Sequence, residues 1–314
     1  MQTVTGPLNP GAAGHWQIHE HIFLRRTQMT DRNSALLIDN EALSAEELKN
    51  YRLCGGEGIV DAQPAGAGRD AQELTLLSKK SGVGIIASTG YHLMGYYDEG
   101  HWIFSLTEHE LTELFISELR EGMLPWSENT KYCPDGRLGA RAGIVKAAIT
   151  EEGPVGEYKK MLNSAAAAAA ECKAPLMLHT ESGRFAEEAV KICLKNGLPA
   201  EKIVVCHADR QADDMSLHEK IAALGVFMDY DTIGRFKYHS DEDELRLISH
   251  MLSAGAGGQL LLSLDTTAKR LCSYGGKIGL SYLLREFIPK MKEFGINEAE
   301  IRKMSSDNIK SLFS

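Results

Sequence analysis

Residues 175–207 read PLMLHTESGRFAEEAVKICLKNGLPAEKIVVCH. Pro175–Leu178 and Lys202–Cys206 are short apolar runs, and Phe185–Asn196 between them carries apolar residues at helical spacing before Gly197 and Pro199. Strand, helix and strand in this order and at this length make a βαβ unit with parallel strands. Each strand candidate is followed directly by a histidine, His179 and His207.

The same alternation runs outward in both directions. Further strand candidates are Trp16–Ile18, Gly58–Asp61, Gly84–Ser88, Gly143–Ala147, Gly225–Met228 and Gln259–Leu262. Helical patterns separate them at Ala71–Lys80, Glu108–Glu121, Tyr158–Cys172, Met215–Ala223 and Asp243–Leu252. Eight strands alternating with helices favour a closed (β/α)8 TIM barrel, with an open doubly wound sheet as the structural rival. Residues 281–314 hold two more helical patterns, interrupted at Pro289 and Gly295, which would close the outer ring. The run Ala165–Ala170 reads as helix packed tightly on the barrel. The irregular stretch Met123–Arg141 reads as a long loop near the third strand-to-helix connection or over the active face.

Length and charge bound the rest. At 34.5 kDa, surface scaling leaves roughly 13,000 Å² exposed of about 50,000 Å² in the extended chain. A single barrel domain over residues 1–314 can therefore bury a sufficient core without disulfide or metal staples. Thirty-four Lys and Arg against 43 Asp and Glu give −9, with no basic tract, which argues against nucleic-acid and anionic-membrane partners. The six cysteines form no CxxC pair and read as reduced thiols. No signal peptide and no apolar run of about 20 residues is visible, so a cytoplasmic protein with a small-molecule substrate is expected.

Chemistry collects at the strand ends. In His19-Glu20-His21 the two histidines stand at i and i+2 of a strand, on one side and about 6.6–6.8 Å apart along it, so they can share a metal. Lys146 lies inside the apolar run Gly143–Ile149, and Asp265 follows Leu260–Leu264. Singly, each has a plain structural explanation: a snorkelling lysine, satisfied core histidines at 179 and 207, a helix-capping aspartate. Their convergence on the C-terminal ends of different strands, where barrel enzymes carry catalytic groups, is hard to explain by packing.

Together, His19-Glu20-His21, Lys146, His179-Thr180-Glu181-Ser182-Gly183, His207-Ala208-Asp209-Arg210 and Asp265 resemble the phosphotriesterase family of the amidohydrolase superfamily. Val60-Asp61-Ala62, Gly68-Arg69-Asp70 and Ser88-Thr89-Gly90-Tyr91 resemble it too, and the likeness runs from about Gly14 to Arg270. The branch of lactonases acting on phosphorylated sugar lactones looks most similar. The resemblance implies a binuclear centre of two divalent metals, Zn²⁺ or else Mn²⁺ or Co²⁺. His19, His21 and Asp265 would hold the buried metal, His179 and His207 the exposed one, and a carbamate on Lys146 would bridge them. It also implies a bridging hydroxide as nucleophile, Asp265 as proton shuttle and Tyr91 as hydrogen-bond donor to the polarised oxygen, unless Tyr91 is a packed rim aromatic. A homodimer would suit the family.

Arg235 and Lys237 follow the seventh strand candidate, and Lys269-Arg270 follow the eighth, the loops where barrels often bind phosphate. The expectation is therefore hydrolysis of a phosphorylated furanose lactone with these four residues on the phosphate. A phosphotriesterase or other ester hydrolase with the same centre, and a metal-binding barrel without catalysis, are the alternatives.

Overall fold

The computed structural model describes residues 1–9, 14–125 and 136–314. Eight parallel strands, β1 (His15–Glu20), β2 (Gly56–Asp61), β3 (Gly84–Gly90), β4 (Ile144–Ala148), β5 (Leu176–His179), β6 (Ile203–Cys206), β7 (Phe227–Tyr230) and β8 (Leu260–Leu262), pair in chain order. Helices Glu41–Leu53, Ala71–Ser81, Glu108–Arg120, Gly156–Cys172, Ala186–Lys195, Met215–Ala222 and Asp241–Ser253 alternate with them on the outside. This is a (β/α)8 barrel. Short β-branched runs buried on both faces can pair only in parallel when a helix returns the chain each time.

Between β8 and β1 the ladder is replaced by side chains. Ser263 Oγ accepts from the amides of Ile18 (2.9 Å) and His19 (3.1 Å). Glu20 accepts from Leu264 N (2.8 Å), Thr266 N (3.1 Å) and Thr266 Oγ1 (2.7 Å). One direct backbone bond, Asp265 N to His19 O at 3.1 Å, completes the seam. The seam thus lies beside two of the candidate ligands.

Side-chain alternation sorts the interior from the shell. Trp16, Ile18, Val60, Ile86, Ile144, Met177, Val204, Phe227 and Leu261 fill the barrel lumen, and Ile309 and Leu312 cover its N-terminal end. Gly58 and Gly84 lack side chains because the Trp16 indole lies over them; a Cβ on Gly58 would come within 2.3 Å of the ring. On β1 the register shifts between Gln17 and Glu20. Such a bulge re-aims the strand, so that His19 faces inward although Ile18 already does.

Three expectations change. The seventh strand begins at Phe227 rather than Gly225, which turns at φ 78°. Pro289 does not interrupt the C-terminal helix: a wide π-turn over Leu283–Phe287 runs straight into Ile288–Glu293, absorbing the missing N–H, and the break falls at Gly295 with φ 96°. The chain resumes in Glu298–Arg302, Lys303–Asp307 and Asn308–Leu312. Finally, the described flanks of Met123–Arg141 join a helix to β4 and pair with each other through Met123 N to Ala140 O. None of them lines the cavity at the strand ends; residues 126–135, including Cys133 of the thiol expectation, lie outside the described residues. The alanine run sits in Gly156–Cys172 with Ala165, Ala166, Ala168 and Ala169 fully buried.

Candidate active site

At the C-terminal ends of the strands a cavity of about 140 Å³ is lined by His19, His21, His179, His207 and Asp265 among others. Lys146 lies fully buried beneath it, with Nζ 3.1 Å from His19 Nε2 and 3.4 Å from Met177 Sδ. The structure thus brings together all six residues expected to hold metal. His207 and Asp265 reach their places from left-handed backbone, φ 65° and 46°, which non-glycine residues adopt at some cost and which is concentrated at functional sites.

Hydrogen bonds behind the rings decide what the front presents. Asp231, at the end of β7, accepts from both His19 Nδ1 (3.0 Å) and His207 Nδ1 (2.6 Å). Both rings therefore carry their proton at the back and turn an Nε2 lone pair to the centre. His179 places Nε2 at 3.4 Å from Glu181 Oε1, so its Nδ1 faces inward, 2.8 Å from His207 Nε2. With the His179 proton on Nε2 toward Glu181, both converging nitrogens present lone pairs, an arrangement that a cation between them satisfies. The atoms of His19, His21 and Asp265 likewise fall within 4.8 Å of one another, with His21 Nε2 at 3.3 Å and His19 Nε2 at 3.8 Å from Asp265 Oδ1. This donor set of neutral imidazoles and a carboxylate fits divalent metal ions.

Electrostatics point the same way. Burial, with Lys146 nearby, lowers the His19 pKa to about 4, and burial drives His207 well below its usual value. The Lys146 ammonium is disfavoured by burial, which outweighs the pull of neighbouring carboxylates. Burial opposes ionisation of Asp265, yet Arg235, His21, His19 and His207 together hold it well below the ordinary carboxylate range. Glu20 faces the seam instead, where burial pushes it up to about 8.

Around this core the expectations divide. Arg235 lines the cavity, its Nη2 3.0 Å from Asp265 Oδ2. Arg270 does not: its Nη1 goes to Leu264 O and its Nη2 to Ile233 O (2.6 Å), so it ties two loops together. Lys237 and Lys269 are exposed and line no part of the cavity, Lys237 lying over the Tyr238 ring. Tyr91 is fully buried, its hydroxyl 3.4 Å from Tyr158 O, outside the cavity wall. The next turn brings His92 and Tyr96 to the wall instead, because the chain leaves β3 at Gly90 with φ 101° and changes direction there. Sequence reasoning missed Asp231, His92, Tyr96 and Arg210. Arg210 had a visible signal, three residues after His207; it lines the cavity and donates to Glu181 O (3.0 Å) and Oε2 (3.1 Å).

The model of the phosphotriesterase family matches residues 1–313. A phospho-furanose lactonase of Mycoplasmopsis synoviae is 28% identical over 100% of this chain and 91% of its own. An N-acetyltaurine hydrolase of Salmo salar is 26% identical over 99% of this chain and 96% of its own. Among solved structures, a lactonase from Listeria monocytogenes superposes with a TM-score of 0.90 at 26% identity, covering 100% of this chain and 98% of that one.

Proposed function

Because this chain belongs to the phosphotriesterase family, we propose that it hydrolyses a small acyl substrate bearing a terminal oxyanion, in the first place a phosphorylated furanose lactone. The observation that carries the reading is the 2.8 Å approach of His179 Nδ1 and His207 Nε2 in a cavity whose wall also holds Arg210 and Arg235. His19, His21 and Asp265 would hold one divalent metal, His179 and His207 a second, and Lys146 as a carbamate would be their shared anionic ligand. The buried amine is suited to that reaction: in its neutral form its lone pair forms an N–C bond to carbon dioxide, one N–H proton leaves, and a neutral group becomes an anion. When bound, such metals supply Lewis acidity and acidify water.

The chain's own groups do the rest. Asp265, held ionised, accepts the proton of the attacking water at Oδ and returns it to the leaving alkoxide. Tyr96, whose phenol burial keeps protonated, donates a hydrogen bond to substrate oxygen, the role expected of Tyr91. Arg235 and Arg210 receive the oxyanion, for which a guanidinium fork is well shaped. The wall leaves room only for a small molecule, consistent with a five-membered lactone ring.

The relative named for N-acetyltaurine motivates a second reading, an amide carrying a sulfonate, since both relatives' substrates by name join a hydrolysable acyl group to a tetrahedral oxyanion. One panel tests these readings: kcat/KM for a furanose lactone with and without phosphate, N-acetyltaurine and a neutral phosphotriester, with wild type, Arg235→Ala and Asp265→Asn. The phosphorylated lactone should lead by at least about tenfold, Arg235→Ala should erase that lead through KM, and Asp265→Asn should lower kcat at least about 10²-fold. Equal rates for the lactone with and without phosphate would overturn the anion assignment.

A further inference from the structure

Behind the site, on the far side of Asp231, lie two carboxylates with no cation assigned to them. Asp209 and Glu244 are both fully buried. Asp209 Oδ2 accepts from Thr232 N (2.6 Å) and Thr232 Oγ1 (2.7 Å), while its Oδ1 has no hydrogen-bond partner among the described residues. Among the same residues neither oxygen of Glu244 has one either. Facing them is His239, its side chain 6% exposed, with Nδ1 3.0 Å from Ser240 O and Nε2 3.1 Å from Glu244 Oε2.

The proton count is informative. A carbonyl can only accept, so His239 carries its proton on Nδ1. In the neutral ring Nε2 then turns a lone pair toward a carboxylate oxygen. It also lies 2.9 Å from Thr232 Oγ1, whose single proton is already given to Asp209. The result is three acceptors, Asp209, His239 and Glu244, with ligand atoms within 4.8 Å of one another. Nearby charges are committed elsewhere. Arg210 pairs with Glu181, Lys290 with Asp241, and His19 and His207 with Asp231. Among the described residues no cationic side chain forms an ion pair with Asp209, and His239 is the sole partner of Glu244.

We propose that Asp209, His239 and Glu244 form a separate divalent-cation site. Two buried carboxylates neutralise a dication and one imidazole adds a third donor, and oxygen and nitrogen donors without sulfur suit Zn²⁺ or Mn²⁺. An entry path exists: His239 lines an open surface cleft with Arg210, Ala212, Tyr238 and Asp243. The bound ion would clamp the turn after β6, the loop after β7 and helix Asp241–Ser253, next to His207 and Asp231. The inference does not rest on the proposed substrate or on the centre at the strand ends.

The test is metal stoichiometry with Zn²⁺ alone as probe. Full-length wild type, Glu244→Gln and His239→Gln are each stripped with chelator, reloaded with zinc, freed of excess and assayed by elemental analysis. His179→Ala, with and without Glu244→Gln, is treated in parallel. Wild type should hold one equivalent more than either single variant, and the same difference of one should persist in the His179→Ala background, whatever the total held at the strand ends. A total that falls short while the difference survives counts against the binuclear reading, not against this site. Equal zinc in wild type and the folded variants would overturn the proposal and leave a shared proton or a protonated His239 as the partner of these carboxylates. Should Glu244→Gln fail to fold, His239→Gln decides alone.

Discussion

The two ends of the barrel lumen are built from the same strands and behave as opposites. Along β4, Ile144 faces the lower lumen and Lys146 the upper; along β5, Met177 precedes His179; on β1, Trp16 and Ile18 precede His19 and His21. On β4 and β5 one step of two residues, and on β1 the bulge, thus carries the chain from an apolar plug to a cluster of ionisable groups. The lower end gains from burying apolar surface. The upper end bears the cost of desolvated imidazoles, an amine and carboxylates, and of left-handed backbone at His207 and Asp265. A strand that serves both ends separates stability from chemistry by position alone, so substitutions two residues apart should fail in different assays.

Lys146→Ala is the largest test of that separation. Removing the amine removes the anion proposed to join the two metals, and several kcal/mol of transition-state stabilisation should go with it. The expected loss in kcat/KM is on the order of 10³-fold or more, with metal content reduced and partly restored by a short carboxylic acid. Compared metal-free, thermal stability should hold or rise, because a buried amine is costly to desolvate. Full metal content at full rate would refute the carbamate assignment.

The opposite end supplies the converse. Trp16 is fully buried over Gly58 and Gly84, and Trp16→Ala should cost about 3–5 kcal/mol of stability through lost burial and the cavity left behind. Because the indole lies below the reacting groups, kcat of the molecules that remain folded should stay within about threefold of wild type. Denaturant unfolding monitored alongside activity would check both halves. A kcat that collapsed while the midpoint stayed put would break the proposed division.

The sequence disclosed the lower end and the ligand positions more readily than the support around them, for physical reasons. Short continuous apolar runs separated by helices announce a barrel, and polar residues in or at the ends of such runs stand out: hence His179, His207, Lys146 and Asp265. His19-Glu20-His21 was visible as spacing, but its inward aim depends on a bulge between Gln17 and Glu20 that alternation cannot show. Asp231 was hidden because the expected seventh strand stopped at Met228, two residues short of Tyr230, so Asp231 did not stand out as a strand-end residue sharing the inward parity of Phe227 and Asp229. Loop geometry was least legible. Tyr91 and Tyr96 look equivalent as residues after β3, and only the turn at Gly90 sends the second to the cavity. Arg270 and Arg235 look alike as basic residues after strands, yet one spends its donors on backbone carbonyls and the other faces Asp265.

The smallest expected effect concerns Asp231, which touches the chemistry only through two other residues. It accepts from the Nδ1 of both His19 and His207, rings that come from β1 and from the end of β6. A carboxylate can accept from both at once. Asn in its place offers one acceptor and one donor, so one of the two rings meets an N–H where it had an oxygen and must reverse its tautomer or turn away. That ring then withdraws its lone pair from the centre. Partners of this kind behind metal-binding histidines are worth roughly 10–100-fold in metal affinity or activity. Asp231→Asn should therefore raise the metal concentration for half-maximal activity by about that factor, with kcat at saturating metal falling less. Stability should change little, since neutralising a fully buried carboxylate offsets the hydrogen bond lost. A metal titration of activity, paired with a melting curve, reads both quantities. An unchanged half-saturation point would mean that His19 and His207 are oriented by their packing alone, and the upper end would then be organised like the lower one.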